Sequence, residues 1–418
     1  MIKNIIKGEL SFPGDKSISH RALMLAALCD GESRISNLSN GADVKSTREC
    51  LEACGIEIRN DGEEVIVKGG RFSDPREPLD CGNSGTTTRL LLGLLAGRGI
   101  TATFVGDESL SARPMNRILD PLFQMGLKAE SNNGSLPITI HKSELTGIHY
   151  ESPVASAQVK SAVLFAGLGA SGKTSVSENV LTRDHTERML QGLGVNISVK
   201  GLTTTVSKLS SPLPCIEITI PGDPSTAAFF AAAAALVPNS EIILNRILAN
   251  PNRTGFFEAL ENMGSKMECL KQWDESGERI GNMKIFHRPL KSISISNNDV
   301  PGLIDEIPIL AILATQAKGR TEVCGAKELR VKECDRIYAI CSNLKRMGAD
   351  IEELDDGFII NGPTPLTGAK IETFNDHRIA MAFTIAGLIT DGEIILDNPD
   401  CACISYPEFY SVLEGLIQ

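Results

Sequence analysis

The sequence has no apolar run long enough to cross a bilayer. Its longest, "STAAFFAAAAALVP" from Ser225 to Pro238, falls short of the roughly 20 residues a spanning helix needs and reads as a buried helix. Net positive charge is also lacking. The chain carries 41 Lys and Arg against 52 Asp and Glu, a formal charge of −11, which argues against a broad nucleic-acid-binding face. Any anionic ligand must then be held by a local cluster of cations. Histidine is scarce, six in all, with no HExxH or His/Cys cluster, so no built-in metal site is expected. The 11 cysteines are scattered without a CxxC pair, and only Cys401 and Cys403 lie close together. Free thiols in a reducing cytoplasm are the expectation. The opening "MIKNIIKGELSFPGDKS" shows neither a long apolar run nor a small-residue cleavage site, so no signal peptide is expected.

What the chain does have is length, an ordinary globular composition and repetition. Its 418 residues, 42% hydrophobic and 22% charged, suffice for two domains with sizeable cores. Six segments share one plan: a small-residue-rich apolar helix, a Gly-bearing turn, a β-like stretch, then an amphipathic helix ending near a Gly. The first parts read "ALMLAALCDGESRISNL", "LLLGLLAGRGITATFVG", "AVLFAGLGASGKTSVSEN", "FFAAAAALVPNSEIILNRI", "PILAILATQAKGRTEVCGA" and "MAFTIAGLITDGEIILDNP". The closing glycines, Gly55, Gly126, Gly194, Gly264, Gly348 and Gly415, recur roughly every 70 residues. Such glycines commonly end helices in the left-handed conformation. The one longer interval holds "LKQWDESGERIGNMK", a polar insertion after the fourth repeat. Two domains of three repeats follow, dividing near "CIEITIPGD", and the leading strand "MIKNIIKGELSF" can pair with either.

The repeats bear on "GLGASGKT", Gly167 to Thr174, which fits the spacing of a phosphate-binding P-loop. A P-loop runs from strand to helix, so that phosphates meet a helix amino terminus. Here "AQVKSAVLFAGL" before it has helical spacing and "KTSVSENV" after it alternates like a strand. The other five copies of this corner lack the GKT. Gly172 therefore reads as a turn residue and Lys173 as an exposed one.

The helix starts hold most of the unusual polar residues: Lys16, Ser17 and Arg21; Asn83, Gly85, Thr86, Arg89 and Arg113; Ser156, Gln158, Lys160 and Arg183; Asp305, Glu306, Lys332, Glu333 and Arg336; Asp376, His377 and Arg378. Helix amino termini offer free N–H groups and partial positive charge, so anions gather there. Arg binds carboxylate or phosphate bidentately and Lys acts as a point charge, so the set suits small, multiply charged anions. Isolated carboxylates among so many cations are candidate acid–base groups. Singly, such residues are more often caps or surface ion pairs, and Ser17 and Asn83 could each be a simple cap.

Taken together, "GDKSISHRA", "GNSGTTTR", "SARPMNRILDPL", "SAQVKSAVLFAGL", "LIDEIPILAILA", "RVKECDR", "NDHRIAMA" and "ISYPEF" resemble the 5-enolpyruvylshikimate-3-phosphate synthase family, in order and across essentially the whole chain. The resemblance implies an α/β fold of two inside-out α/β barrel domains, each of three βαβαββ repeats. Residues 13–221 would form one domain, and residues 1–12 with 222–418 the other, with the active site in the cleft between. The implied reaction moves the enolpyruvyl group of phosphoenolpyruvate to the 5-hydroxyl of shikimate 3-phosphate and releases phosphate. It needs no metal or organic cofactor, and the implied enzyme is a cytoplasmic monomer without nucleic-acid or membrane partners.

By the same resemblance, Lys16, Ser17, Arg21, Ser156, Gln158 and Lys332 would hold shikimate 3-phosphate, as would Asp305, which accepts the hydroxyl proton. Lys16, Gly85, Arg113, Gln158, Arg336 and Arg378 would hold phosphoenolpyruvate. Glu333 would deliver a proton to the methylene carbon, sharing that work with Lys16. Asn83, Arg89 and His377 would support these groups. Three positions depart from the family pattern. Ile404 stands before "SYP" where many members have Lys; Arg183 of "TRDHTE" stands where a Tyr often meets the shikimate ring; and Leu90 follows Arg89 where many have Pro. The last two resemble the branch that often tolerates glyphosate. The sister transferase acting on UDP-N-acetylglucosamine usually carries a reactive Cys in the loop that here reads "GDESLSARPMN", and tends to have "KN" where this chain has Lys16-Ser17. The remaining alternatives are a P-loop kinase using Gly167–Thr174 and a non-catalytic binding protein on the same scaffold.

Overall fold

The computed structural model describes residues 5–418. The chain forms two compact units: an N-terminal unit of Gly14–Ile220 with Glu275–Glu278, and a C-terminal unit made of residues through Pro13, Pro221–Asp274 and Arg279–Gln418.

Each unit is built around its leading helices. In the C-terminal unit these are Pro224–Leu236, Ile307–Gln316 and His377–Ala386, which pack on one another. All residues of Pro224–Leu236 are buried, as a helix apolar on every side requires. In the N-terminal unit the helix Gly85–Arg98 packs against both Lys16–Ala27 and Ala157–Gly167. Small residues make that contact close. A methyl group on Gly93 would lie 2.1 Å from the Ala162 carbonyl oxygen. Among the described residues no helix is long and apolar enough to cross a membrane.

Around these helices the described residues form five four-stranded sheets and one two-stranded sheet. Each four-stranded sheet pairs a strand that precedes a leading helix in parallel with a strand that follows one, and a hairpin pairs antiparallel on the other side. In three sheets the two parallel strands flank the same helix, and in the other two they are exchanged between the first and fourth repeats. Leu79–Asp80, Ala102–Val105, Ser135–His141 and Lys128–Asn132 lie in that order in the second repeat. The order strand, leading helix, strand, second helix, hairpin is therefore a βαβαββ repeat. The strand Lys7–Ser11 pairs in parallel with Glu241–Leu248 of the fourth repeat, and Glu217–Thr219 pairs with Gly31–Ser36 of the first.

Two sequence expectations change here. Five closing glycines, Gly55, Gly126, Gly194, Gly264 and Gly348, do have φ between 74° and 99°. Gly415 does not; it lies inside the last helix, Phe409–Leu416, which continues past it. The polar insertion after the fourth repeat lengthens the hairpin of Lys266–Glu275 and Glu278–Phe286. The sixth repeat lacks a hairpin altogether: Lys370–Ile371 pairs only with Ile395–Leu396.

At "GLGASGKT" the order is helix, turn, strand: Ala157–Gly167, then Gly172 at φ 84°, then Lys173–Ser177 with Lys173 exposed. No helix amino terminus is there to meet a phosphate, so the P-loop reading is excluded.

The close helix contact gives a stability prediction. Gly93→Ala should cost about 3 kcal/mol, because backbone rather than a flexible side chain must move. Gly192→Ala, at a helical position with no atom within 4 Å of the added methyl, should stabilise by about 0.5–1 kcal/mol. Unfolding midpoints in denaturant check both.

Candidate active site

In the N-terminal unit the predicted residues gather at three helix starts. Asp15 caps the helix Lys16–Ala27 by accepting from the Ile18 N–H. Ser84 caps Gly85–Arg98 in the same way, accepting from the Thr87 N–H. Neither Ser17 nor Asn83 is therefore the cap. Lys16 Nζ pairs with Asp43 Oδ2 at 2.9 Å, a partner the sequence reading did not name.

Two guanidinium groups gather at the first turn of Gly85–Arg98. A methyl group on Gly85 would lie 3.1 Å from an Arg89 nitrogen and 3.4 Å from an Arg113 nitrogen, so both guanidinium groups flank this bare backbone. Asn83 Oδ1 accepts from Arg113 at 2.7 Å, while its amide donates to Asp107 at 2.7 Å. Buried Arg113 has no hydrogen-bond partner at Nε among the described residues. Arg89 donates to Gln158 Oε1 at 2.7 Å, and Gln158 Nε2 donates to Thr86 at 2.9 Å. Two like charges beside a helix start make a place that favours an anion. Ser156 caps Ala157–Gly167, accepting from the Val159 N–H.

Arg21 differs from the others. It is buried, donating to Thr186, Ser161 and the Ser17 carbonyl at 2.7–2.8 Å. Burial pushes its pKa down to about 10, opposed by Glu187 and Asp15; nearby Arg183 pushes the same way as burial. Lys160 is turned wholly inward, 2.7 Å from both Glu178 and Glu187. Burial works against its charge, but the two carboxylates win and raise its pKa. A buried cation with two anions holds the helices together rather than binding substrate.

In the C-terminal unit one guanidinium organises the site. Arg336, 1% exposed, opens the helix Arg336–Arg346. Its Nε donates to Asp376 at 2.7 Å, one terminal nitrogen reaches Glu333 at 2.6 Å, and the other lies 3.5 Å from Asp305. Burial opposes this charge, yet Asp376 and Glu333 raise its pKa strongly. Lys332 Nζ also lies 3.5 Å from Asp305. Arg378 donates to the Asp305 carbonyl at 3.1 Å and lies 3.9 Å from its carboxylate. The two predicted acid–base carboxylates thus share one cation. His377 is buried at the start of the same helix as Arg378, one residue after the cap Asp376.

Two departures acquire a location. Leu90 is fully buried in the core. Ile404 ends the 3-10 turn Pro399–Ile404 and packs against the hydrophobic core, so this side chain supplies no charge. The sequence reading also missed a buried group in the fourth repeat. Arg253 pairs with Glu306 at 3.0 Å and with Asp223 at 3.2 Å, and Ser225 donates to Glu306. A signal was available, since "PGDPSTAA" repeats the "PGDKSISH" of the first helix start.

Leading helices that aim cations and carboxylates from their first turns define a class: an enzyme for small, multiply charged anions on an enolpyruvyl-transferase architecture. The fold alone is shared with the enolpyruvyl transferase NikO from Streptomyces tendae, at a TM-score of 0.76 and 19% identity, covering 100% of this chain and 97% of that one. An EPSP synthase from Acinetobacter baumannii superposes at a TM-score of 0.88 with 38% identity, covering 99% of this chain and 97% of that one. The model of the EPSP synthase (3-phosphoshikimate 1-carboxyvinyltransferase) family matches residues 2–413. A 3-phosphoshikimate 1-carboxyvinyltransferase of Thermodesulfovibrio yellowstonii is 47% identical over 98% of this chain and 97% of its own. Another, from Oceanobacillus iheyensis, is 44% identical over 100% and 98%. The chain belongs to the EPSP synthase family.

Behind the cationic helix start runs a buried chain of hydroxyl groups. His20 Nδ1 lies 2.6 Å from Thr47, Thr47 lies 2.7 Å from Thr87, and Thr87 donates to the cap Ser84. Burial lowers the His20 pKa to about 3 despite Asp43, with Lys16 and Arg21 acting in the same direction as burial. Between about pH 6.5 and 3 the unfolded chain binds a proton here that the folded one refuses. Stability is therefore fully present above pH 6.5 and falls with acidification, by up to about 1.4 kcal/mol per pH unit. His20→Gln should flatten that slope in unfolding free energies measured from pH 7.5 to 5.

Proposed function

We propose that the chain transfers the enolpyruvyl group of phosphoenolpyruvate to the 5-hydroxyl of shikimate 3-phosphate, with release of phosphate. The observation that carries this reading is the pair Asp305 and Glu333 on Arg336, with Lys332 beside them, in a chain of this family. The addition step needs one group to take a proton and another to give one. As the C5 hydroxyl attacks C2 of phosphoenolpyruvate, Asp305 takes the hydroxyl proton and Glu333, with Lys16, delivers a proton to C3. The tetrahedral adduct then loses a proton from its new methyl carbon as the C2–phosphate bond breaks. Positioned charge and proton transfer suffice for both steps, with no cofactor.

In this reading Lys16, Ser17, Arg21, Ser156, Gln158, Arg183 and Lys332 hold shikimate 3-phosphate. Lys16, Gly85, Gln158, Arg113, Arg336 and Arg378 hold phosphoenolpyruvate. Asn83 aims Arg113, and Arg89 aims Gln158, as their hydrogen bonds suggest. Residues 13–221 supply most contacts to shikimate 3-phosphate, and residues 1–12 with 222–418 supply the acid–base carboxylates. Buried Arg21 would act through its remaining donor capacity and its charge. A cytoplasmic monomer is the corresponding form of the enzyme.

Phosphate release from phosphoenolpyruvate tests the reading. It should require shikimate 3-phosphate, should not accept UDP-N-acetylglucosamine in its place, and should need no nucleotide or metal. Asp305→Ala should slow it roughly 100-fold or more. Exposed Lys173→Ala should leave it unchanged, whereas a working P-loop would lose it. Turnover with Asp305→Ala intact would overturn the assignment of the base.

Arg183 and Leu90 give a second expectation. Inhibition by glyphosate should be weak, because these two positions resemble the branch that often tolerates it. Competition with phosphoenolpyruvate at low micromolar glyphosate would refute it.

A further inference from the structure

The buried cluster in the fourth repeat touches the acid–base site through one residue, Glu306, the immediate neighbour of Asp305. The two side chains have opposite surroundings. Asp305 is partly exposed and faces Lys332, Arg336 and Arg378, with Glu333 and Asp376 on the far side of Arg336. Glu306 is 1% exposed and faces Arg253, Ser225 and Arg378, with Asp223 on the far side of Arg253. Its contacts with Ser225, Arg253 and Arg378 all fall on Oε1. Its Oε2 has no hydrogen-bond partner among the described residues. A buried carboxylate with an open oxygen keeps much of its field, since no solvent screens it.

Arg378 stands between the two carboxylates. One terminal nitrogen lies 3.1 Å from the Asp305 carbonyl and 3.9 Å from Glu306, and the other lies 3.9 Å from the Asp305 carboxylate. Neither carboxylate is in close contact with it. Without the Glu306 charge, the only carboxylate among the described residues within 4 Å of the Arg378 guanidinium in this arrangement would be Asp305. The guanidinium would close on that group, weakening it as a base and leaving its own place at phosphoenolpyruvate.

We propose that Glu306, itself fixed by Arg253 and Ser225, is a positioning residue for proton transfer at Asp305, holding Arg378 in balance between the two carboxylates. The inference rests on Asp305 being the base and on Arg378 serving phosphoenolpyruvate. It gives the fourth repeat, which contributes no residue to the substrate assignments, a part in the reaction.

The test is steady-state phosphate release by the full chain from pH 5.5 to 9, with Glu306→Gln, Ser225→Ala and Asp305→Asn. For Glu306→Gln, kcat should fall about 10- to 100-fold and KM for phosphoenolpyruvate should rise several-fold, on the scale of one misplaced catalytic group. The acidic limb of the kcat/KM profile should move about one pH unit lower, as removing a neighbouring anion requires. Ser225→Ala, which keeps every charge, should shift both quantities the same way and by less. It decides the matter if Glu306→Gln does not fold. A folded Glu306→Gln with unchanged KM and an unmoved acidic limb would assign the cluster to stability alone and overturn the inference. So would an unaltered profile in Ser225→Ala when that variant stands alone. If Asp305→Asn keeps wild-type turnover, the assignment of the base has failed, a result separate from the Glu306 profile.

Discussion

A guanidinium taken out of water is the interaction on which the candidate site of the C-terminal unit depends. Arg336 is buried, and a charge in that position survives only if anions surround it. Asp376, Glu333 and Asp305 do so, and each comes from a different part of the chain. Meeting that one requirement brings the starts of three helical segments together. The carboxylates near Arg336 are therefore a condition of its burial as well as candidates for chemistry. Asp376 is fully buried and caps a helix, so it is committed to structure. Asp305 and Glu333 keep some exposure and remain available to a substrate.

The N-terminal unit solves the opposite problem. There Arg89 and Arg113 flank the backbone of Gly85 at a helix start, with neutral Gln158 and Asn83 among their partners. One unit thus concentrates carboxylates around a cation, and the other gathers cations beside a glycine backbone at a helix start.

Much of this was legible in the chain. The repeat fixed the order of helix and strand, because apolar periodicity and turn glycines are local properties, and it correctly removed the P-loop at Gly167–Thr174. The helix starts named Asp305, Glu333 and Arg336 for the same reason. Partners distant in sequence were not legible. Asp43 beside Lys16, and Arg253 beside Glu306, lie in ordinary polar stretches with no motif to distinguish them. Inward-facing cations also look like outward-facing ones. Lys160 stands one turn into a helix start much as Arg89 does, yet it is sealed between two carboxylates. Gly415 misled because spacing alone cannot say whether a helix stops.

The exchange of leading strands has a consequence for synthesis. Lys7–Ser11 emerges from the ribosome before the other described strands, yet its parallel partner, Glu241–Leu248, follows only after Gly14–Ile220 of the N-terminal unit has been made. The first sheet of that unit in turn lacks an edge until Glu217–Thr219 emerges. The nascent chain must therefore carry its first strand unpaired while a whole domain folds behind it. Proline at position 13 and glycine at 14, just after this strand, stand at the break between the waiting segment and the unit that folds first.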